Sequence, residues 1–270
     1  MSVATTFSRR VADAVAARGR LVVGIDPHPP LLAAWGLSDD AAGVRAFGLR
    51  CAEAFAGEVG FVKPQVAFFE QFGAAGMLAL EEVTAACREA GAVVIADAKR
   101  GDIGTTMAGY ARAWLGDSPL AADAVTLSPY LGYGALRPAI DAARAAGRGV
   151  FVLARTSNPE GAQVQAGGVA QRIVDDARAD NADGAGTVGL VVGATREHGL
   201  DVAGLGGPIL APGLGAQGAT PADLAAIFGS ETTVLPNSSR NVLSAGPDAG
   251  AVRDAALRVR DEVEAVLGTR

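Results

Sequence analysis

Two carboxylates and two cations fall within six residues in Asp97-Ala98-Lys99-Arg100-Gly101-Asp102, directly after the apolar run Val93-Val94-Ile95-Ala96. Such a β-branched run reads as a buried parallel strand. A buried strand does not end in charges unless its end opens onto water or a site. Asp97 and Lys99 stand two apart, so an extended backbone sends both side chains from one face. A carboxylate and an ammonium aimed at one point make a proton donor with its own electrostatic orienter. The plain alternative is a strand-end ion pair of little energetic weight. Asp102 lies beyond Gly101, where the chain can already have turned away.

The elements that must position these residues alternate along the whole chain. Apolar strands are predicted at 21–25, 60–64, from 93 onward, and at 123–128, 149–154, 187–192, 208–211 and 232–235. Helices are predicted at 39–57, 105–115, 133–146, about 169–178, 221–228 and 249–267, and the stretch 68–91 contains helical material. The prolines of Asp26-Pro27-His28-Pro29-Pro30 are read as forbidding helix continuation after the first strand. Eight strands separated by helices argue for one closed (β/α)8 barrel, a TIM barrel spanning residues 1–270 as a single domain. An open doubly wound sheet is the fallback, since one miscounted strand would change the topology. No composition shift marks a second domain.

Composition narrows the partners. Half of the 270 residues are hydrophobic and only 5% aromatic, so the core is built from Ala, Val, Leu and Ile. A net charge of −6 with no Lys/Arg block argues against nucleic-acid or membrane-surface binding. No apolar stretch reaches the length of a membrane span. Residues 1–20 read as an amphipathic helix rather than a secretion signal. Cys51 and Cys87 form neither a disulfide framework nor a zinc site, and read as buried inert thiols of a protein in a reducing cytoplasm.

The C-terminal strand ends of such a barrel share one face, so the residues there form a set. The first strand gives Asp26, the second Lys63, the third Asp97 and Lys99; the loops after strands five, seven and eight offer Ser157, Gln217 and Arg240. Pro212-Gly213-Leu214-Gly215-Ala216-Gln217-Gly218 has glycines that let backbone N–H groups approach a ligand. Pro236-Asn237-Ser238-Ser239-Arg240-Asn241 ends a strand with hydroxyls and a guanidinium able to grip phosphate oxygens. Barrel phosphate sites form in these two loops; ordinary Gly- and Asn-rich turns are the competing reading. His28 and His198 lack metal-ligand spacing and read as loop histidines, and no residue set suggests a metal. The turn after the first strand holds no glycine, so a dinucleotide fingerprint is unsupported.

At this point Asp97-Ala98-Lys99-Arg100-Gly101-Asp102-Ile103-Gly104-Thr105-Thr106 resembles the D-x-K-x-x-D signature of the orotidine 5′-phosphate decarboxylases. Gly24-Ile25-Asp26-Pro27, Val62-Lys63-Pro64, Ala211-Pro212-Gly213 to Gln217-Gly218, and Ser239-Arg240 follow in that family's order across nearly the whole chain. The length and wording are similar to the longer bacterial branch. The resemblance implies a homodimeric barrel that converts orotidine 5′-phosphate to UMP and carbon dioxide in pyrimidine biosynthesis, without metal or organic cofactor. It implies that Asp97 faces the substrate carboxylate, that Lys99 protonates C6, and that Lys63 sits between the carboxylates and the ribose. Asp102, with Ile103 and Thr106, would reach into the partner subunit's site. Asp26 would bind ribose hydroxyls, Ser157 the pyrimidine, and Gln217 with Arg240 the phosphate. The nearest rival is a magnesium-dependent sugar-phosphate enzyme of the same barrel group, against which Lys63 stands where that chemistry needs an acid. A non-catalytic phosphosugar-binding barrel is a second rival, but a binder needs no proton donor at Lys99.

Overall fold

The computed structural model describes residues 5–194, 198–215, 218–228 and 233–268. Eight parallel strands close into a barrel in sequence order, β1 (Val22–Ile25), β2 (Phe61–Pro64), β3 (Val93–Arg100), β4 (Ala124–Leu127), β5 (Gly149–Arg155), β6 (Val188–Val192), β7 (Ile209–Pro212) and β8 (Val234–Ser238). The ladder from β8 to β1 completes the ring through Val22 with Asn237 and Val23 with Ser238. The open sheet is thereby excluded.

Strand alternation splits the apolar residues into two clusters. Val23, Val62, Val94 and Val125 face outward, into the large cluster shared with the helices. Val22, Phe61, Ile95, Ala124, Phe151 and Leu235 face the barrel axis. The helical layer comprises α1 (Phe7–Arg18), α2 (Pro29–Ala34), α3 (Ala41–Phe55), α4 (Ala67–Glu70), α5 (Gly73–Glu89), α6 (Gly104–Leu115), α7 (Arg137–Ala145), α8 (Ala162–Gln165), α9 (Val169–Asp180), α10 (Pro221–Phe228), α11 (Arg240–Leu243) and α12 (Ala249–Leu267). Cys51 and Cys87 are buried where α3 meets α5, the heaviest helix–helix contact. Burial pushes both thiols up, that of Cys87 to about 12, so neither forms a thiolate near neutral pH.

The N-terminal pole is plugged. Helix α1 inserts Phe7 and Val11 into the interior cluster, and the Phe7 ring meets Phe151 edge-on with centroids 6.1 Å apart. Gly149 makes room for it, since a Cβ there would lie 2.2 Å from the Phe7 ring. Buried Asp123 ties the same end together by accepting the Val94 N–H at 2.9 Å and pairing with Arg10. The barrel interior is thereby closed off at this end, and it opens at the C-terminal pole.

Two sequence expectations need correction and one is refined. The prolines after β1 start a helix rather than prevent one: Pro29 and Pro30 open α2, where a missing N–H costs nothing and the fixed φ suits a first turn. The helical material expected within 68–91 is divided into two helices, α4 and α5, separated at Gln71–Phe72 and restarted by Gly73 at φ +60°. Strand β8 continues past Leu235 to Ser238, with Pro236 inside the ladder, because pairing with β7 and then β1 carries the strand across one lost donor.

Candidate active site

The same alternation that fills the interior builds the site one layer higher. Past the apolar floor, the inward positions of the first four strands and the residues just beyond them are Asp26, Lys63, Gln65, Asp97, Lys99 and Thr126, while β5, β6 and β7 supply Leu153, Val191 and Leu210. These groups line a cavity of about 390 Å³ at the C-terminal pole. One wall is therefore ionic and the opposite wall aliphatic, which suits a ligand with a flat apolar ring and an anionic edge.

Asp97 is the hub of the ionic wall. Its Oδ2 accepts from Lys63 Nζ at 2.9 Å and from Gln65 Nε2 at 2.9 Å. Its Oδ1 accepts from Lys99 Nζ at 2.6 Å and from the Thr126 hydroxyl at 3.0 Å. Burial alone would raise the Asp97 carboxyl, but Lys63 and Lys99 outweigh it and hold the group well below the usual carboxylate range. For Lys63 burial acts downward, yet the charges of Asp97 and Asp26 prevail and its ammonium is raised. Lys63 is 4% exposed and Asp97 8%, whereas the Lys99 side chain is 48% exposed and faces the open part of the cavity. A buried pair thus anchors a third, accessible ammonium.

Lys99 reaches this position by leaving regular strand geometry. It has φ +47°, the left-handed region, and stands alone among the described non-glycine residues in doing so. The two-residue spacing of Asp97 and Lys99 therefore joins them through a bulge, not through a straight strand. Gly101 then lets the chain pass close against the end of β4, since a Cβ there would lie 2.3 Å from the Ser128 carbonyl oxygen.

The remaining sequence candidates divide. Asp26, Ser157 and Arg240 line the cavity with Lys63, Asp97 and Lys99. Asp26 Oδ1 is buried without a hydrogen-bond partner among the described residues, an acceptor ready for a ligand hydroxyl. Asp102, Ile103 and Thr106 do not line the cavity of their own chain. Asp102 Oδ1 accepts the Ile103 N–H at 2.7 Å, and the Ile103 side chain is 61% exposed. Gln217 lies outside the described residues. The loops after β7 and β8 pack on each other, because a Cβ at Gly215 (φ +74°) would sit 1.8 Å from Asn241 Nδ2. Ser238 faces away from the cavity, but Ser239 lines it. His28 lines the cavity, and His198 is buried, its Nδ1 accepting the Leu200 N–H at 3.0 Å and its ring stacked on Phe228. Among the described residues no three His, Cys, Asp or Glu side chains are placed to hold a metal ion.

Two site residues escaped the sequence reading, Gln65 and Thr126, which hold Asp97; Asn237 and Gly24 stood inside quoted motifs without a role of their own, and Asn237 lines the cavity. A Cβ at Gly24 would lie 1.9 Å from Ser239 Oγ and 3.2 Å from Asp26 Oδ2. Strand parity was the available signal, since Gln65 is two beyond Lys63 and Thr126 two beyond inward Ala124.

The family model described as "Orotidine 5'-phosphate decarboxylase / HUMPS family" matches residues 19–255, nearly the whole barrel and every strand end that lines the cavity. The chain belongs to this family. Among its relatives, an orotidine 5′-phosphate decarboxylase of Salinispora arenicola is 56% identical, over 97% of this chain and 98% of that one. The enzyme of the same name from Corynebacterium efficiens is 53% identical, over 92% and 93%. A crystal structure from Streptomyces avermitilis, provisionally given that name, superposes with a TM-score of 0.95 at 51% identity, covering 99% of this chain and 98% of that one. The cavity lies at the C-terminal ends of an eight-stranded parallel barrel. No helix among the described residues is long and apolar enough to cross a membrane.

Proposed function

We propose that this chain decarboxylates orotidine 5′-phosphate to UMP and carbon dioxide in de novo pyrimidine biosynthesis, in the cytoplasm, as a homodimer of single barrel domains spanning residues 1–270. The observation that carries the reading is the buried Lys63–Asp97 pair holding an accessible Lys99 ammonium at the mouth of a half-apolar cavity. In this reading the pyrimidine lies against the aliphatic wall near Ser157, and its carboxylate faces Asp97. The C6–carboxylate bond breaks, carbon dioxide departs, and the electron pair stays on C6. That pair lies in the ring plane, where no π-system can spread it, so a cation placed beforehand is the direct stabiliser. Lys99 Nζ then gives C6 its proton and recovers one from water. Lys63 keeps Asp97 ionised and in place, and Asp97 in turn aims Lys99.

The other roles follow from position. Asp26, with its unpaired Oδ1, takes the ribose hydroxyls. Arg240 and Gln217, on the loops after β8 and β7, take the phosphate, far from C6; gripping a remote group lets binding energy act at the reacting end. Asp102, Ile103 and Thr106 serve the site of the second subunit, a role supported by their position outside their own cavity and by the exposure of Ile103. None of the steps requires a metal or organic cofactor. The test is loss of the ultraviolet absorbance of orotidine 5′-phosphate on addition of purified protein in EDTA. Turnover unaffected by EDTA is expected. No turnover, or turnover abolished by EDTA and restored by magnesium, would refute the reading.

A further inference from the structure

Thr126 touches both groups on which the proposed chemistry depends, although it carries no charge and belongs to the neighbouring strand. The ladder between β3 and β4 pairs Ala96 with Val125 and Arg100 with Leu127. Four residue steps on β3 are thus matched by two on β4, so residues 97–99 arch over Thr126 alone. An arch of this kind leaves backbone groups without ladder partners. The Lys99 N–H, in its left-handed turn, is one of these, and it donates to Thr126 Oγ1 at 2.9 Å. The Thr126 hydroxyl donates in turn to Asp97 Oδ1 at 3.0 Å, the same oxygen that accepts from Lys99 Nζ at 2.6 Å.

The polarity of this ring of contacts is fixed. An amide can only donate and an ionised carboxylate can only accept, so the single hydroxyl proton has one place to go. Thr126 is 1% exposed, which keeps water from competing for either contact. Its β-branched side chain on a strand also has restricted χ1 freedom. No other described residue hydrogen-bonds both the backbone of Lys99 and the side chain of Asp97.

We infer that Thr126 is a positioning residue: its hydroxyl holds the Lys99 backbone in the arch and Asp97 Oδ1 beside Lys99 Nζ, and so sets where the ammonium stands over the reacting carbon. This rests on the reading of Lys99 as proton donor. It assigns to Thr126 no part in holding the substrate.

The test compares the parent with Thr126→Val, Thr126→Ala and Thr126→Ser. The measurements are kcat and KM for orotidine 5′-phosphate, the dissociation constant for UMP, and solvent exchange of the Lys99 amide by NMR. Thr126→Val and Thr126→Ala are expected to lose about tenfold to a hundredfold in kcat, the scale of a misplaced catalytic group. UMP affinity should stay within about threefold of the parent, and Thr126→Ser should recover kcat to within about threefold. Parental kcat in Thr126→Val would overturn the proposal. So would a loss of UMP affinity as large as the loss of kcat, or a Thr126→Ser variant as slow as Thr126→Ala. If Thr126→Val fails to fold, the smaller Ala and Ser side chains decide. The Lys99 amide should exchange faster in Thr126→Ala than in the parent. Unchanged exchange overturns the proposal even if the parent does not turn over orotidine 5′-phosphate, an outcome that would separately refute the functional reading.

Discussion

Asp97→Ala is the substitution that tests the ionic wall most directly. It removes the shared acceptor of Lys63, Gln65, Lys99 and Thr126 at once. The four losses differ greatly in weight. Lys99 is 48% exposed, and losing an ion pair at such a site costs about 0–1 kcal/mol. The Lys63 side chain is 5% exposed, and stranding a buried charge costs about 3–5 kcal/mol. The second term decides, and for a domain of this size it corresponds to a fall of roughly 6–20 °C in Tm. pH supplies the sign. In the parent, the Asp97 contribution is complete above the ordinary carboxyl value of 3.8 and is lost only as pH falls below it. The raised Lys63 contributes fully below its ordinary 10.5 and loses that stability only as pH climbs beyond it. Between those limits the pair stabilises by a constant amount. In the variant, burial acts on Lys63 with only Asp26 opposing it, so the folded ammonium falls below its ordinary value and stability rises with pH. The assay is thermal unfolding of both proteins between about pH 6 and pH 10, with the variant's deficit narrowing toward the alkaline end. A variant Tm within about 1 °C of the parent at neutral pH, or a deficit that does not change with pH, would refute the reasoning.

Two further outcomes test the proposed division of labour. Lys99→Ala should bind UMP but not turn over, and Asp102→Ala should also be inactive; mixing them in equal amounts should restore up to about a quarter of parental activity. Half of the dimers are then mixed, each with one intact and one doubly damaged site. No recovery despite demonstrated subunit exchange would place Asp102 within its own chain's site. Gly24→Ala puts a methyl 1.9 Å from Ser239 Oγ and against Asp26 Oδ2, an overpacking of about 1–3 kcal/mol. KM should rise about tenfold or more with a smaller change in kcat, and an unchanged KM would show that Gly24 does not shape the ligand cavity.

Much of this protein is legible in the chain itself. Eight short apolar runs, all but the sixth followed by a helical pattern, are enough for a barrel, because buried parallel strands need apolar residues on both faces and crossovers between them. The charges at Asp26, Lys63, Asp97 and Lys99 stand out by the same logic, since a buried strand tolerates them only at an open end. Gln65 and Thr126 carry no such mark. Their importance comes from Asp97, which lies 32 and 29 residues away in sequence and meets them only when β2, β3 and β4 pair. The need for glycine at position 24 is likewise created by the end of β8, where the next residue, Ser239, arrives beside it on closure of the barrel. The sequence by itself determined the fold class and the charged set, because burial and periodicity are properties of a single strand or helix. Only the tertiary structure decided the left-handed turn at Lys99, the burial that separates Lys63 from Lys99, and the uncharged partners of Asp97. Each of those depends on registers between strands, which no single strand contains.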